Sequence, residues 1–132
     1  MNFINLTPHV LNVWDKDNVE HKIAPYCNSN SERLELRAST SREQVEIPIL
    51  PEFQVNQATF GEPVLTWVRP TGATREGLFS ELPSASQAVL IVSKIALASL
   101  VEHDMKDRLY LTPGELIRNE SGQPIGCRGF EI

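Results

Sequence analysis

The sequence is poor in cysteine and in positive charge, and each shortage excludes a class of function. Its 132 residues include two cysteines, Cys27 and Cys127, with no CxxC spacing and no histidine at metal-ligand distance in sequence. We therefore expect neither a disulfide nor a metal site. Lys and Arg number 12 against 17 Asp and Glu, for a net charge of −5. Binding of polymeric nucleic acid needs a broad basic face, so we expect no such partner.

Long apolar runs and the common functional motifs are also missing. The first ten residues lack the basic start and apolar run of a secretory signal, and no stretch approaches the roughly 18 apolar residues of a membrane helix. We expect no membrane partner and a cytoplasmic location. The chain has no GxSxG, no GxGxxG after a strand and no GxxxxGK[ST], so it predicts no catalytic residues and no cofactor.

The residues that are present indicate one folded domain. Hydrophobic residues make up 41% of the chain, which is enough for a single core over residues 1–132. The predicted fold class is α+β, a mainly antiparallel sheet with one principal helix in the C-terminal half and a closing β-hairpin. Strands or hairpins are predicted within residues 3–24, 33–40, 44–50 and 53–68, followed by a long loop around residues 69–87 that is rich in Gly, Pro, Ser and Thr.

One helix is predicted, over residues 93–104. Ser93 is a suitable N-cap, and apolar residues follow it at near-helical spacing, with Leu97, Leu100 and Val101 among them. Few polar residues occur in its first half, so we expect it to pack on two sides, against the sheet and either a loop or a partner subunit.

The last twenty residues predict a hairpin that carries two arginines. Thr112–Glu115 (TPGE) matches a type II turn, and Gly122 is expected in the left-handed position of a three-residue turn with a bulge. The predicted register pairs Arg118 with Pro124 and Ile117 with Ile125, so that Arg118, Gly126 and Arg128 share one face. Two interpretations stay open: solvated surface charges, or a clamp for an anion such as a pyrophosphate.

Several sequence blocks together resemble a known phage family. They are INLTPH at 4–9, IAP at 23–25, LRAST at 36–40, TFGE at 59–62, IVS at 91–93 and PGELIRNESGQPIGCRGF at 113–130. This pattern is similar to that of the Thoeris anti-defence sponge proteins, which sequester cyclic ADP-ribose signals. The matched blocks span nearly the whole chain.

The resemblance implies a non-catalytic homo-oligomer in the host cytoplasm, with nucleotide pockets built at subunit contacts from arginines, an aromatic and helix residues. It also implies that some members hold cyclic oligonucleotides at a second site. Carried over by position, Arg37 and Arg118 would contact the phosphates and ribose of the ligand. Gln57 stands where the family pattern has an arginine, and Leu90 stands where it has a stacking aromatic. The predicted ligand-binding residues are Arg37, Arg118, Arg128, Phe60, Leu90, Ser93 and Trp67, with Trp67 or Phe60 supplying the stacking.

Two other functions remain open from the sequence. One is an enzyme acting on a nucleotide or ADP-ribosyl group, with Glu62 or Glu115 as the base. The other is a phage structural or assembly component without a small ligand, in which the arginines serve subunit contacts.

Overall fold

The protein folds as α+β, with mostly antiparallel strands, one α-helix and a C-terminal β-hairpin, which confirms the predicted class. The computed structural model describes residues 2–84, 86–105 and 107–132; residues 1, 85 and 106, which the single-domain prediction includes, lie outside the described part. The elements are β1 Asn2–Asn5, β2 Leu11–Trp14, β3 Glu20–Ile23, β4 Arg33–Arg37, β5 Thr40–Val45, β6 Val55–Phe60, β7 Val64–Val68, β8 Thr74–Glu76, β9 Ala88–Ile91, α1 Lys94–Glu102, β10 Tyr110–Arg118 and β11 Pro124–Glu131.

The largest sheet has six strands in the order β1-β9-β10-β11-β2-β3, and it curls until its two edges meet. The edges are joined at Asn5, the last residue of β1. Asn5 forms a bridge with Pro25, accepts a 2.9 Å bond from the amide of Tyr26, and donates from its side chain to the carbonyl of Ile23 at 3.0 Å. Joining the edges satisfies backbone groups that an open sheet would leave exposed.

The prediction of one hairpin over residues 3–24 is correct for its second half and wrong for its first. Strands β2 and β3 pair antiparallel around a turn, whereas β1 pairs in parallel with β9. The interruption at Thr7 and Pro8 ends β1 instead of bending it. Just before it, the amide of Leu6 bonds to the carbonyl of Ile91, and the carbonyl of Leu6 accepts from Leu36. Leu6 therefore connects the curled sheet to β4.

The main core lies between the curled sheet, a second sheet of β4-β7-β8, and α1. Leu34 and Leu36 both point into it, as their alternation in sequence predicts. Residues of this core come from β1, β4, β7, β9, α1, β10 and the segments next to them: Ile4, Leu6, Leu34, Leu36, Leu65, Trp67, Leu82, Ala88, Leu90, Val92, Ala96, Leu100 and Tyr110.

A smaller set of buried residues lies on the opposite face of β9, inside the curl of the sheet. Val89 and Ile91 alternate with Leu90 and Val92 along the chain, and so point away from the main core. Buried side chains of β2 and β11, Val13 and Cys127, are direct partners across those two strands. The six-stranded sheet is therefore packed on both faces along β9.

The segment predicted as a long loop over residues 69–87 contains regular structure. Thr74–Glu76 forms β8 on the edge of the second sheet, and Phe79–Glu81 forms a turn of 3-10 helix. The sequence analysis missed this strand because its three residues are exposed and polar. They show neither the two-residue hydrophobic period of a strand nor the 3.6-residue period of a helix.

The strand predicted at residues 44–50 is displaced toward the N-terminus. β5 covers Thr40–Val45 and pairs only with β6, as a separate two-stranded sheet. The following residues turn through Pro48 and Pro51, since proline cannot donate to a ladder. Ile49 and Phe53 are exposed at this tip.

The predicted helix is confirmed, with slightly shorter bounds. α1 spans Lys94–Glu102, and the Ser93 hydroxyl accepts a 3.2 Å bond from the amide of Ala96, as expected for an N-cap. The helix ends at His103, and Asp104 follows with a left-handed φ of 56°. Of the helices in the described residues, none has the length and apolarity needed to cross a membrane.

The type II turn predicted at Thr112–Glu115 is wrong, because those residues lie within the continuous strand β10. Gly114 is needed there for another reason: a side chain at this position would collide with the carbonyl of Arg128. The turn at the end of the hairpin is as predicted, with Gly122 at a φ of 79° and Asn119 accepting from Gly122.

The predicted register of the closing hairpin is correct at the turn and wrong beyond it. Arg118 pairs with Pro124, but a bulge follows, so Ile117 pairs with Gly126 instead of Ile125. Glu115 consequently lies opposite Arg128. The bulge inserts one residue on β11, so Gly126 and Arg128 lie opposite Ile117 and Glu115. Directly paired residues share a face and Arg118 alternates with Ile117, so the prediction that Arg118 shares a face with Gly126 and Arg128 is wrong.

Candidate functional site

The N-terminus of α1, the end of β4 and the segment after β1 enclose a cavity of about 330 Å³. Two of the predicted ligand-binding residues, Arg37 and Ser93, line it together. The other lining residues are Leu6, Thr7, Pro8, Glu35, Leu36, Ala38 and Ile95. We refer to this as the Arg37 cavity.

The wall formed by residues 6–8 is held by a buried polar network. The side-chain oxygen of Asn5 accepts from the amide of Thr7 at 2.9 Å and from its hydroxyl at 2.6 Å. The side-chain amide of Asn5 donates to the carbonyls of His9 and Ile23. Because both ends of this amide are satisfied, the wall has a fixed shape.

The floor of the Arg37 cavity has the polarity of a helix N-terminus. The first amides of a helix have no partner within the helix and carry a partial positive charge. Ser93 satisfies one of them, that of Ala96. Ile95, in the first turn, lies at the cavity with its side chain about half exposed. This end of α1 therefore favours negative charge.

Arg37 is oriented by a neighbouring carboxylate and still keeps donors free. Glu35 accepts from Nε of Arg37 at 2.9 Å and from Nη2 of Arg37 at 3.1 Å, and also accepts from Arg33 at 2.6 Å. A guanidinium has five N–H donors, so three on Arg37 have no partner among the described residues and can bind a ligand. Arg33 and Arg37 are positive and Glu35 is negative, so the three side chains together carry a net charge of +1.

The Glu35 carboxylate remains ionised in this arrangement. Its side chain is 11% exposed, and burial by itself raises the pKa. The hydrogen bonds and charges of Arg37 and Arg33 outweigh burial, and the net pKa of Glu35 is lowered. The pKa of Arg37 is raised by the same bond to Glu35. Glu35 therefore serves to position Arg37 and is a weak proton acceptor at neutral pH.

Phe60, predicted as a stacking residue, lies at the other end of α1. It is the last residue of β6, and its carbonyl contacts Nε2 of His103 at 3.2 Å. The nine residues of α1 span about 13 Å, so Phe60 and the Arg37 cavity lie at opposite ends of the helix. Leu90 is fully buried in the main core. The structure brings neither to the wall of this cavity.

Trp67, the other predicted stacking residue, is 4% exposed and already covered. The guanidinium of Arg75 lies over its ring, 5.2 Å from the centroid, and Tyr26 packs beside it. Its indole N–H donates to Glu81 at 3.1 Å. Both the ring face and the polar edge therefore have partners within the protein.

A second arginine cluster, which was not predicted, lies beside Trp67. Glu32, with a side chain only 7% exposed, accepts from Arg75 at 2.9 and 3.0 Å, from Arg69 at 3.3 Å and from Asn28 at 2.9 Å. The bond from Arg75, followed by that from Asn28, lowers the pKa of Glu32 to about 2. Arg69 and Arg75 are 37 and 43 positions from Glu32 in the sequence, so no local spacing indicates this cluster.

Arg118 and Arg128 lie on the C-terminal ribbon and do not line the Arg37 cavity. Arg118 is exposed, and its guanidinium donates to the carbonyl of Gly122 at 2.8 Å within its own turn. Neither arginine forms an ion pair within residues 2–84, 86–105 and 107–132. Gly126 lies on the same ribbon, and Trp14 and Asn12 pack against it.

Comparison with protein-family models, with curated proteins and with solved structures found no match to this chain. Within the described part of the chain, no group of three or more His, Cys, Asp and Glu side chains is placed to hold a metal ion. Among the predicted ligand-binding residues, Arg37 and Ser93 are the two that line this cavity.

Proposed function

We propose that the protein binds a small phosphorylated molecule at the Arg37 cavity and holds it without cleaving it. The observation that supports this most is the meeting of Arg37 with the N-terminus of α1 in one cavity. Charge-assisted bonds from a guanidinium and a helix N-terminus are two common means by which proteins bind phosphate.

The resemblance of the sequence blocks supplies the ligand class and the biological role in this proposal. The ligand is a cyclic nucleotide immune signal, a cyclic ADP-ribose isomer or a cyclic oligonucleotide. The protein is a phage anti-defence protein that sequesters the signal in the host cytoplasm. Glu35, the carboxylate at the cavity, has a lowered pKa and two arginine partners, so it is suited to positioning and not to acid–base catalysis.

The proposal includes a second subunit. A cavity of about 330 Å³ lies at the low end of the range for ligand sites and accommodates a phosphate and part of a sugar. Ile95, half exposed at its edge, offers apolar surface for a partner chain. Arg118 or Arg128 of another copy would complete the pocket of a homo-oligomer.

Binding should depend on Arg37 far more than on other exposed arginines. Native mass spectrometry and calorimetry with cyclic ADP-ribose isomers measure stoichiometry and affinity. We expect Arg37→Ala to weaken binding about tenfold to a hundredfold, the effect of losing charged bonds of about 1.5–3 kcal/mol. Arg42→Ala, which removes an exposed arginine on β5, is the matched control and should change affinity less than about twofold.

The fate of the bound ligand distinguishes a binding protein from an enzyme. Denaturing the loaded protein should release the ligand intact; a cleaved product would establish an enzyme instead. If Arg37→Ala and Arg118→Ala leave affinity unchanged and dissociate the oligomer, the arginines serve assembly and the binding proposal is wrong.

A further inference from the structure

The open end of the curled sheet contains the largest cavity described, of about 610 Å³. The sheet edges meet at Asn5 and Pro25, but toward the start of β1 and β3 they separate. The cavity lies between them, and its volume is in the range of small-molecule sites. Its lining residues are Phe3, Val13, Asp15, Glu20, His21, Lys22, Ile23, Gly129 and Phe130.

The floor of this cavity is apolar and aromatic. The rings of Phe3 and Phe130 stack with centroids 5.5 Å apart and planes inclined by 20°. These residues come from strands β1 and β11, which are separated by two others in the sheet order, so the curl brings them together. Phe3 remains 46% exposed, which leaves much of a phenyl ring facing solvent. Aromatic surface of this kind favours a flat, apolar ligand.

The rim of the cavity has a polar pair with fixed orientation. Nε2 of His21 lies 2.8 Å from Oδ2 of Asp15, whose other oxygen accepts from the amides of Asp17 and Val19. The bond from His21, followed by that from Val19, lowers the pKa of Asp15. An ionised carboxylate only accepts, so Nε2 of His21 carries the hydrogen of this bond.

The charge of the lining disfavours the phosphorylated ligands of the Arg37 cavity. Asp15 and Glu20 are carboxylates. Lys22 is the one cation of fixed charge among the described residues that line the cavity, and its Nζ lies 4.0 Å from Oε1 of Glu20. An anion would lie near these two carboxylates, whereas a neutral hydrogen-bond donor would find acceptors.

We propose that this cavity binds a small neutral aromatic molecule that carries a hydrogen-bond donor, of the indole or phenol class. The ring packs against Phe3 and Phe130, and the N–H or O–H lies at the rim formed by Asp15 and His21. This site is independent of the proposed nucleotide site, because the two cavities share no lining residue.

Titration of the full chain with indole, followed by ¹H–¹⁵N correlation NMR, tests the proposal. We expect saturable shifts of amides in β1, β3 and β11, and weaker binding by benzofuran, which has the same shape without the N–H donor. Phe3→Ala should weaken indole binding about tenfold, the value of one aromatic contact of about 1.4 kcal/mol. Phe53→Ala, which removes an exposed phenyl on the β5–β6 tip, is the matched control and should leave it unchanged.

Three results would overturn the proposal. They are the absence of saturable shifts with indole at millimolar concentration, equal effects of Phe3→Ala and Phe53→Ala, and equal affinities for indole and benzofuran. Thermal unfolding of Phe3→Ala establishes that this variant is folded, and Phe3→Leu, which retains apolar volume without the ring, replaces it otherwise. Arg37→Ala should bind indole normally, which separates this site from the nucleotide site.

Discussion

The arginines of the second sheet and those of the C-terminal ribbon are placed in opposite ways. Around β4, β7 and β8, Glu32 and Glu35 each accept from two arginines, and both carboxylates are largely buried. On the ribbon, Arg118 bonds to its own turn and Arg128 lies across from exposed Glu115. The comparison shows that a buried carboxylate, more than the number of arginines in a segment, decides which guanidiniums have a fixed position.

Arg37 combines features of both groups. Glu35 fixes its orientation, as in the buried cluster, yet its side chain is half exposed and lies at a cavity. A binding residue needs both a fixed orientation and exposure at the cavity. A mobile side chain loses conformational entropy on binding, and a buried side chain cannot reach the ligand. This is why Arg37, and neither ribbon arginine, is central to the proposed function.

The largest effect on stability should come from Glu32→Gln. The substitution keeps the shape but removes the charge that neutralises Arg75 and Arg69, and an unpaired charge in a partly buried cluster is unfavourable. We expect urea unfolding at pH 7 to show a greater loss in the free energy of unfolding for Glu32→Gln than for Glu43→Gln. Glu43 is exposed on β5 and serves as the control. Equal losses of stability in the two variants would show that the ion pairs of Glu32 do not hold Arg69 and Arg75 more firmly than exposed arginines are held.

The pH dependence of the same measurement gives a second readout. The pKa of Glu32 is about 2 in the fold against a reference of 4.5. Its contribution to stability is present above the unfolded value and is lost as the pH falls from about 4.5 toward 2. Stability of the native protein should therefore fall more steeply over this range than that of Glu32→Gln. If the free energy of unfolding falls equally steeply with pH in both proteins, Glu32 makes no such contribution.

On the ribbon, Gly126 should matter more than the arginines beside it. A side chain at Gly126 would collide with the ring of Trp14 and the carbonyl of Asn12, so Gly126→Ala must move β2 away from β11. We expect a loss of about 2 kcal/mol in the free energy of unfolding. Gln123→Ala, an exposed control on the same ribbon, should stay within about 0.5 kcal/mol. A stable Gly126→Ala protein would mean that the ribbon packs less tightly there.

The smallest effects should come from the ribbon arginines. Arg118→Ala and Arg128→Ala remove exposed side chains and should each change the free energy of unfolding by less than about 0.5 kcal/mol. Their effect on nucleotide affinity is the informative measurement. A tenfold loss with unchanged stability would place them in a pocket completed by another subunit, as the sequence resemblance implies.

Local features of the fold could be read from the sequence because neighbouring residues determine them. The Ser93 cap, the left-handed Gly122 and the inward alternation of Leu34 and Leu36 depend on a few adjacent positions. Arg37 and Ser93, two of the predicted ligand-binding residues, line one cavity, and their role in binding stays a prediction. Its remaining polar features were not predicted: the Asn5–Thr7 network and the pairing of Arg37 with Glu35.

The sequence by itself determined the class of fold, the one helix with its cap and the turn of the closing hairpin, because each follows from backbone preferences and hydrophobic period over short distances. The tertiary structure alone decided that β1 pairs in parallel with β9, that Trp67 and Leu90 are buried, and that a bulge shifts Arg128 opposite Glu115. These outcomes depend on which distant segments meet, and the energy of such pairings is set by contacts that no local pattern contains.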